Sequence, residues 1–248
     1  MGLFDKKYCD ICGEKIGLLG NRKLDDGNMC KDCAALLSPF MTDRRRTTLA
    51  DIKEHLAYRE ANKGEVAKFN VTCTLGNRTK VLLDEGAYKF IVTSSSNWQN
   101  ENPDVINYSQ VTGCQTDIQE SKEEEKTKDK DGRAVSYNPP RYKYFYDFYV
   151  IIYVNSPWFN EIRFQINRNH IPGRISTEYR ECEQLAREIK DALTQKQNGV
   201  REDIAAAHAS TVASTIASAV AQTCPTCGAT TTPDANGCCE YCGAAMRN

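Results

Sequence analysis

The chain has 248 residues, 40% of them hydrophobic, so it can form one ordinary domain plus smaller modules and is too apolar for wholesale disorder. Its 32 basic and 33 acidic side chains nearly cancel, which excludes a global field that would draw the whole molecule onto nucleic acid or an anionic membrane. Twelve cysteines would suit a disulfide framework in a short secreted chain, but these cluster at metal-ligand spacing.

The first predicted module spans residues 1–40. Its opening stretch, Met1 to Cys9, has no apolar core of signal-peptide length, and Lys6 stands where a myristoylation pattern needs Ser or Thr, so a cytoplasmic location is expected. Cys9-Asp10-Ile11-Cys12-Gly13 and Cys30-Lys31-Asp32-Cys33 then supply four thiolates in two x2 pairs. Two intervening residues let both sulfurs of a pair reach one ion about 2.3 Å away, and Gly13 can adopt the left-handed conformation of such a turn. Gly17, Gly20 and Gly27 punctuate the segment between the pairs as a hairpin would, and Ala34-Ala35-Leu36-Leu37 favours helix. A treble-clef-like arrangement is expected, with Cys30 and Cys33 at a helix N-terminus.

A helical connector follows at 41–68. Thr47 and Thr48 offer N-caps, and Leu49, Ile52 and Leu56 fall at helical spacing, while Arg44-Arg45-Arg46 reads as a solvated face. The region 69–195 changes to a strand period. Val81-Leu82-Leu83, Tyr88–Val92, Val105–Tyr108 and Cys114–Ile118 are short strands between Gly, Asn, Ser and Pro. Tyr142–Val154 is the strongest strand, with Tyr142, Tyr144, Tyr146, Phe148, Val150, Ile152 and Val154 on one side. After a turn at Asn155-Ser156-Pro157-Trp158, Glu161–Asn167 alternates and is expected to pair back. The charged stretch 120–133 is expected to be a mobile loop, because it offers too little apolar surface to offset chain ordering. Ser176 should start a closing helix with Cys182, Leu185, Ile189 and Leu193 as its apolar stripe.

The segment 196–222 is alanine-rich and is expected to be a helical linker. Ala209, Ala213 and Ala217 recur every four residues beside Val212, Ile216 and Val220, a small-residue ridge that suits self-association through 200–222. The last module, 223–248, carries Cys224-Pro225-Thr226-Cys227-Gly228 and Cys239-Glu240-Tyr241-Cys242-Gly243, the pattern of a zinc ribbon. Cys238 lies beside Cys239 but lacks the x2 spacing to Cys242, so it is left out of the ligand set. Eight cysteines therefore predict two structural zinc ions. With four thiolates per ion no position remains for water or substrate, so neither site should do chemistry.

The stretch from Lys7 through Cys33 resembles a small zinc-finger domain of unknown function found at the N-terminus of bacterial, chiefly Firmicute, proteins. The centre resembles pleckstrin-homology-like domains, with Val105–Val111 as a strand-and-turn element and Ser176–Leu193 as the closing helix. The C-terminal module resembles zinc ribbons appended to bacterial proteins. The implied fold is α+β: an antiparallel pleckstrin-homology-like β-barrel or sheet with a closing helix, flanked by the two zinc modules. Such a centre implies binding of peptides, proteins or lipid headgroups, not catalysis.

No Walker loop, dinucleotide fingerprint or nucleophile elbow occurs, and His55, His170 and His208 stand apart from nucleophiles and carboxylates, so no enzyme is expected. The expected role is a non-enzymatic adaptor or scaffold for protein–protein interaction. A nucleic-acid-associated regulator using the zinc modules is the main alternative, and a peripheral membrane adaptor the next. A membrane partner is not expected from the sequence, because Asn77-Arg78-Thr79-Lys80 is followed closely by Asp84 and Glu85 and reads as a solvated loop. Trp98 and Trp158 are expected to be partly buried.

Overall fold

A computed structural model describes residues 7–194, 221–234 and 237–246, which divide into two compact units at about residue 197. The alanine-rich linker, its self-association ridge and His208 lie outside the described residues.

The first unit begins with a two-stranded ribbon, β1 (Arg22–Lys23) and β2 (Asn28–Met29), followed by the short helix α1 (Lys31–Ala35). A 3-10 turn at Arg44–Arg46 leads into α2 (Leu49–Lys68). Of the two candidate caps, Thr48 is the N-cap: its hydroxyl accepts the Asp51 N–H, and the Asp51 carboxylate accepts the Thr48 N–H at 3.0 Å, closing a capping box. Asp26, from the β1–β2 turn, accepts the Leu49 N–H at 2.7 Å, so the metal module itself helps start the helix.

The central strands form two antiparallel sheets. The first is ordered β3 (Cys73–Leu75), β4 (Lys80–Asp84), β5 (Lys89–Thr93), β6 (Ile106–Asn107), with a one-turn helix α3 (Trp98–Glu101) between the last two. The second pairs β7 (Val111–Lys128) with β8 (Ala134–Val154); β9 (Glu161–Gln165) and β10 (Ile171–Pro172) pair with β8 at 149–153 and 145–146. The two sheets do not close into the expected barrel among the described residues: a 3-10 turn at Tyr108–Gln110 breaks the ladder between β6 and β7. The closing helix α4, residues 177–194, starts where Ser176 accepts the Tyr179 N–H. Of its expected stripe Ile189 and Leu193 are fully buried, and Tyr179 and Ala186 join them, with Tyr179 edge-on to Tyr146 and Phe148.

The charged stretch 120–133 is a correction. Residues 120–128 are the distal part of β7, and only Asp129–Arg133 turns. Ladder pairing sets Glu123 opposite Lys143 and Glu125 opposite Arg141, Lys143 reaches Glu125 at 3.4 Å, and Lys122 lies over the Tyr142 ring. Opposite charges across the strands, and two-strand pairing that needs no apolar face, hold this ribbon where burial does not. The same geometry corrects the expected core face of β8. On that face Tyr146 to Val154 is buried, but Tyr142 and Tyr144 are 42% and 43% exposed, because no element among the described residues covers the ribbon there. At Tyr137–Pro140 the chain drops out of register, since consecutive prolines cannot donate to the ladder.

The expected connector is instead the hub of the first unit. The buried face of α2 is Ile52, His55, Arg59, Asn62 and Val66, a 3-4-3-4 stripe with a polar middle. Arg59 pairs with Asp104 at 2.8 Å, with the Asp104 side chain fully buried, and its other guanidinium nitrogens donate to the Leu36 and Asn102 carbonyls. Asp104 also accepts from Ser38 Oγ at 2.8 Å, and Asn62 donates to Pro103 O while accepting the Val105 N–H. His55 Nε2 accepts the Ser38 N–H at 2.9 Å, and its ring meets Trp158, half-buried as expected, at 4.8 Å. This network ties the segment after α1 to the loop before β6 through the helix.

Candidate metal centres

In the N-terminal module the chain at Cys9–Gly13 folds back tightly. Cys9 N–H donates to Glu14 O at 2.9 Å and Gly13 N–H to Cys9 O at 2.8 Å, with Gly13 at φ +77°, a backbone state that glycine adopts without strain. The second pair opens α1: Cys30 is its N-cap, and Cys30 Sγ accepts the Cys33 N–H at 3.3 Å. Cys9 Sγ accepts the Cys30 N–H at 3.2 Å, joining the pairs directly. Knuckle, ribbon and helix therefore follow in the expected order.

The C-terminal unit repeats the first turn twice. Cys224 N–H donates to Ala229 O and Gly228 N–H to Cys224 O; Cys239 N–H donates to Ala244 O and Gly243 N–H to Cys239 O, all at 2.8 to 2.9 Å. Gly228 and Gly243 have φ +73° and +71°. A small ribbon of β11 (Gln222–Thr223) and β12 (Thr230–Thr231) flanks the first turn, and Cys238 bridges to Ala245 beside the second.

Both expected quartets assemble. Cys9, Cys12, Cys30 and Cys33 form one cluster and Cys224, Cys227, Cys239 and Cys242 the other, with the sulfurs of each within 4.8 Å of one another; Cys238 belongs to neither. Four sulfurs about 2.3 Å from a central zinc in a tetrahedron stand about 3.8 Å apart, whereas a disulfide brings two to about 2.0 Å. Cys12 and Cys30 are 3.8 Å apart, Cys224 and Cys242 3.6 Å, and Cys227 and Cys239 3.7 Å, so the donor sets fit the metal.

The electrostatics show what an ion would relieve. Burial pushes the Cys9 thiol up, but the N–H groups of Cys12, Cys30 and Ile11 outweigh it and bring Cys9 down to about 6. Burial, and then the sulfurs of Cys30, Cys12 and Cys9, push Cys33 far upward. In the second cluster the N–H groups of Cys227 and Thr226 lower Cys224 to about 6. The Ala244 N–H lowers Cys242, yet the Cys227 sulfur and burial outweigh it and push the thiol up to about 12. Like charges at this spacing cannot all ionise alone; a divalent cation removes the conflict.

Sequence spacing did not reveal the support behind the sulfurs. Asp10, inside the first knuckle, donates its N–H to Asn28 O and accepts the Asn28 N–H at 2.7 Å, locking the knuckle to β2. Gly27 leaves room for it, since a Cβ there would lie 2.9 Å from an Asp10 carboxylate oxygen and would push that side chain aside. The one available signal was Asp10 between two ligands, too common a residue to stand out. Of the histidines, His55 is buried in the hub and His170 lies 2.7 Å from Asp147 at the surface, both away from the cysteines. Among the described residues no helix is long and apolar enough to cross a membrane.

A family model described as "Domain of unknown function (DUF4428)" matches residues 7–55, the first metal module together with the start of α2. No curated protein and no solved structure matched the chain.

Proposed function

We propose that the chain is a non-enzymatic adaptor in which two structural zinc ions, one per cysteine quartet, hold binding surfaces in shape. The observation that carries it is the sulfur geometry: the four donors of each site lie within 4.8 Å of one another, with Cys12–Cys30, Cys224–Cys242 and Cys227–Cys239 near the tetrahedral spacing, and a closed thiolate shell leaves no coordination position for substrate. The treble-clef-like and ribbon assignments follow from the knuckle–ribbon–helix order of one module and the paired knuckles of the other. A pleckstrin-homology-like centre, as in the bacterial proteins that the sequence resembles, is supported by a four-strand meander, a three-strand meander and a helix whose Tyr179 face packs on the second sheet.

The surface for a protein partner is the two-stranded arm formed by residues 120–144, whose exposed Tyr142 and Tyr144 share one face with Lys122 and Glu124. Tyrosine gives large contact area at small entropic cost. Metal analysis of the purified chain should find two zinc ions, and affinity capture from the native cell should recover a protein that is lost with Tyr142→Ser/Tyr144→Ser. Fewer than two ions, or capture indifferent to the tyrosines, would falsify the proposal.

A further inference from the structure

Among the described residues of the first unit, the two most exposed large apolar side chains are neighbours: Leu18 at 94% and Leu19 at 91%. They form the tip of a turn that the Gly20 N–H closes onto Gly17 O at 3.0 Å. Leu19 has φ +63°, a conformation that glycine would adopt more readily, so the fold accepts backbone strain while displaying a leucine. Two adjacent leucines in water have no packing role in the module.

The turn adjoins a concentration of unpaired positive charge. Arg22 donates to Leu19 O at 3.1 Å and so lies against the tip. Beside it, Arg22, Lys23, Arg44 and Arg45 line an open cleft of about 620 Å³ with Asn21, Leu24 and Asp25. None of these four cations has a carboxylate within ion-pair distance among the described residues: Asp25, the one acid in the lining, pairs with none of them, and Asp43, beside Arg44 in sequence, pairs with Arg46. The half-buried Arg44 has its Nε wholly shielded from solvent and without an acceptor. Burial, Arg22 and Arg45 in turn lower its pKa, so the guanidiniums are close enough to repel one another. An unsatisfied buried N–H in a group of uncompensated cations calls for an anion.

From these observations we infer that this corner of the N-terminal module docks on an anionic membrane surface, Leu18 and Leu19 entering the interfacial layer and the Arg22–Lys23–Arg44–Arg45 cleft holding lipid phosphate. The leucines decide between phosphate sources. A nucleic-acid backbone would use the cations but offers nothing to two projecting aliphatic side chains, and among the described residues the cleft lining has no aromatic ring on which a base could stack. With this lining, a bilayer interface satisfies both halves, and apolar insertion plus cationic attraction is the combination that gives usable affinity. The inference is independent of the protein-partner proposal and gives the adaptor a second, membrane-facing side.

Co-sedimentation of the metal-loaded full chain with vesicles tests it. Binding is expected to phosphatidylcholine vesicles containing phosphatidylserine and not to phosphatidylcholine alone, and it should weaken as salt is raised. Arg44→Gln/Arg45→Gln should lower it about 25-fold, about fivefold per charge removed, and Leu18→Ser/Leu19→Ser about tenfold. An unchanged near-ultraviolet circular dichroism spectrum confirms the fold of each variant. The proposal is overturned by absent sedimentation, by equal sedimentation with uncharged vesicles, or by binding that survives the leucine exchange. Retention of labelled duplex DNA that depends on the arginines and not on the leucines would overturn it in favour of a nucleic-acid backbone.

Discussion

The N-terminal quartet is built into a core containing Ile16, Leu24, Met29, Leu37 and Ile52, whereas among the described residues the buried hydrophobic core of the C-terminal quartet is Cys224, Cys239 and Met246. The sulfur chemistry and the knuckle hydrogen bonds are the same in both. What differs is how much apolar burial stands behind them. A module of about twenty-five residues cannot offset its ordering entropy with one buried methionine, so a metal ion held by its cysteines would serve as its core. The first module shares its core with α2 and has support that does not depend on metal.

Metal removal should separate the two most sharply. A structural zinc site contributes on the order of 10 kcal/mol of folding free energy, so chelation, or Cys239→Ser, should unfold the C-terminal unit completely. The strand signal of residues 73–172 should remain. Amide spectra with and without chelator would show this, and a C-terminal unit that keeps dispersed resonances without metal would erase the distinction.

The next largest effect lies in the hub. Removing the charge in Asp104→Ala leaves Arg59 buried without its carboxylate and should cost about 3–5 kcal/mol in urea unfolding of the first unit, with the C-terminal unit unaffected. A loss below about 1 kcal/mol would mean that the hub does not couple the first metal module to the sheets.

Acidification should act on the same hub through His55. Burial, then the nearby Arg59 charge, lower its pKa to about 4. Its Nε2 already accepts the Ser38 N–H, and Nδ1 is buried without a partner, so protonation in the fold is disfavoured. The unfolded chain binds the proton near the ordinary value of about 6.5. Stability is therefore complete above pH 6.5 and falls as pH drops towards 4, by up to about 3 kcal/mol. Comparing wild type with His55→Gln isolates this term, and parallel pH profiles for the two would contradict it.

The smallest expected effect is Thr48→Ala, which removes one arm of the capping box and should cost about 1 kcal/mol. Because Asp26 also caps α2 from the metal module, the loss should grow when the N-terminal ion is removed. An equal loss with and without metal would argue against cooperation between the two caps.

Legibility followed the range of each interaction. The cysteine quartets, Thr48 as one of two candidate caps, Ser176 and the core half of β8 were readable because each rests on local spacing: x2 knuckles, capping turns, a period of two. The ribbon at 120–128 was not, since composition argued for a loop and only pairing against 141–144 supplies the opposite charges that hold it. The buried stripe of α2 escaped because Arg59, Asn62 and His55 look like a solvated face until Asp104, forty-five residues on from Arg59, arrives to meet them.

The same division describes the molecule as a whole. Sequence by itself determined where metal can be held and, outside 120–128, where the main strands and helices lie, because ligand spacing and side-chain alternation are properties of a few consecutive residues. Tertiary structure alone decided which polar residues are buried and which cations gather. Arg44-Arg45-Arg46 is an ordinary charged run in the chain; it becomes half of a cleft only when the β1–β2 ribbon brings Arg22 and Lys23 beside it, next to two leucines that the Gly17–Gly20 turn holds in water. Burial and charge density are sums over neighbours in space, and such sums exist only once the chain has folded.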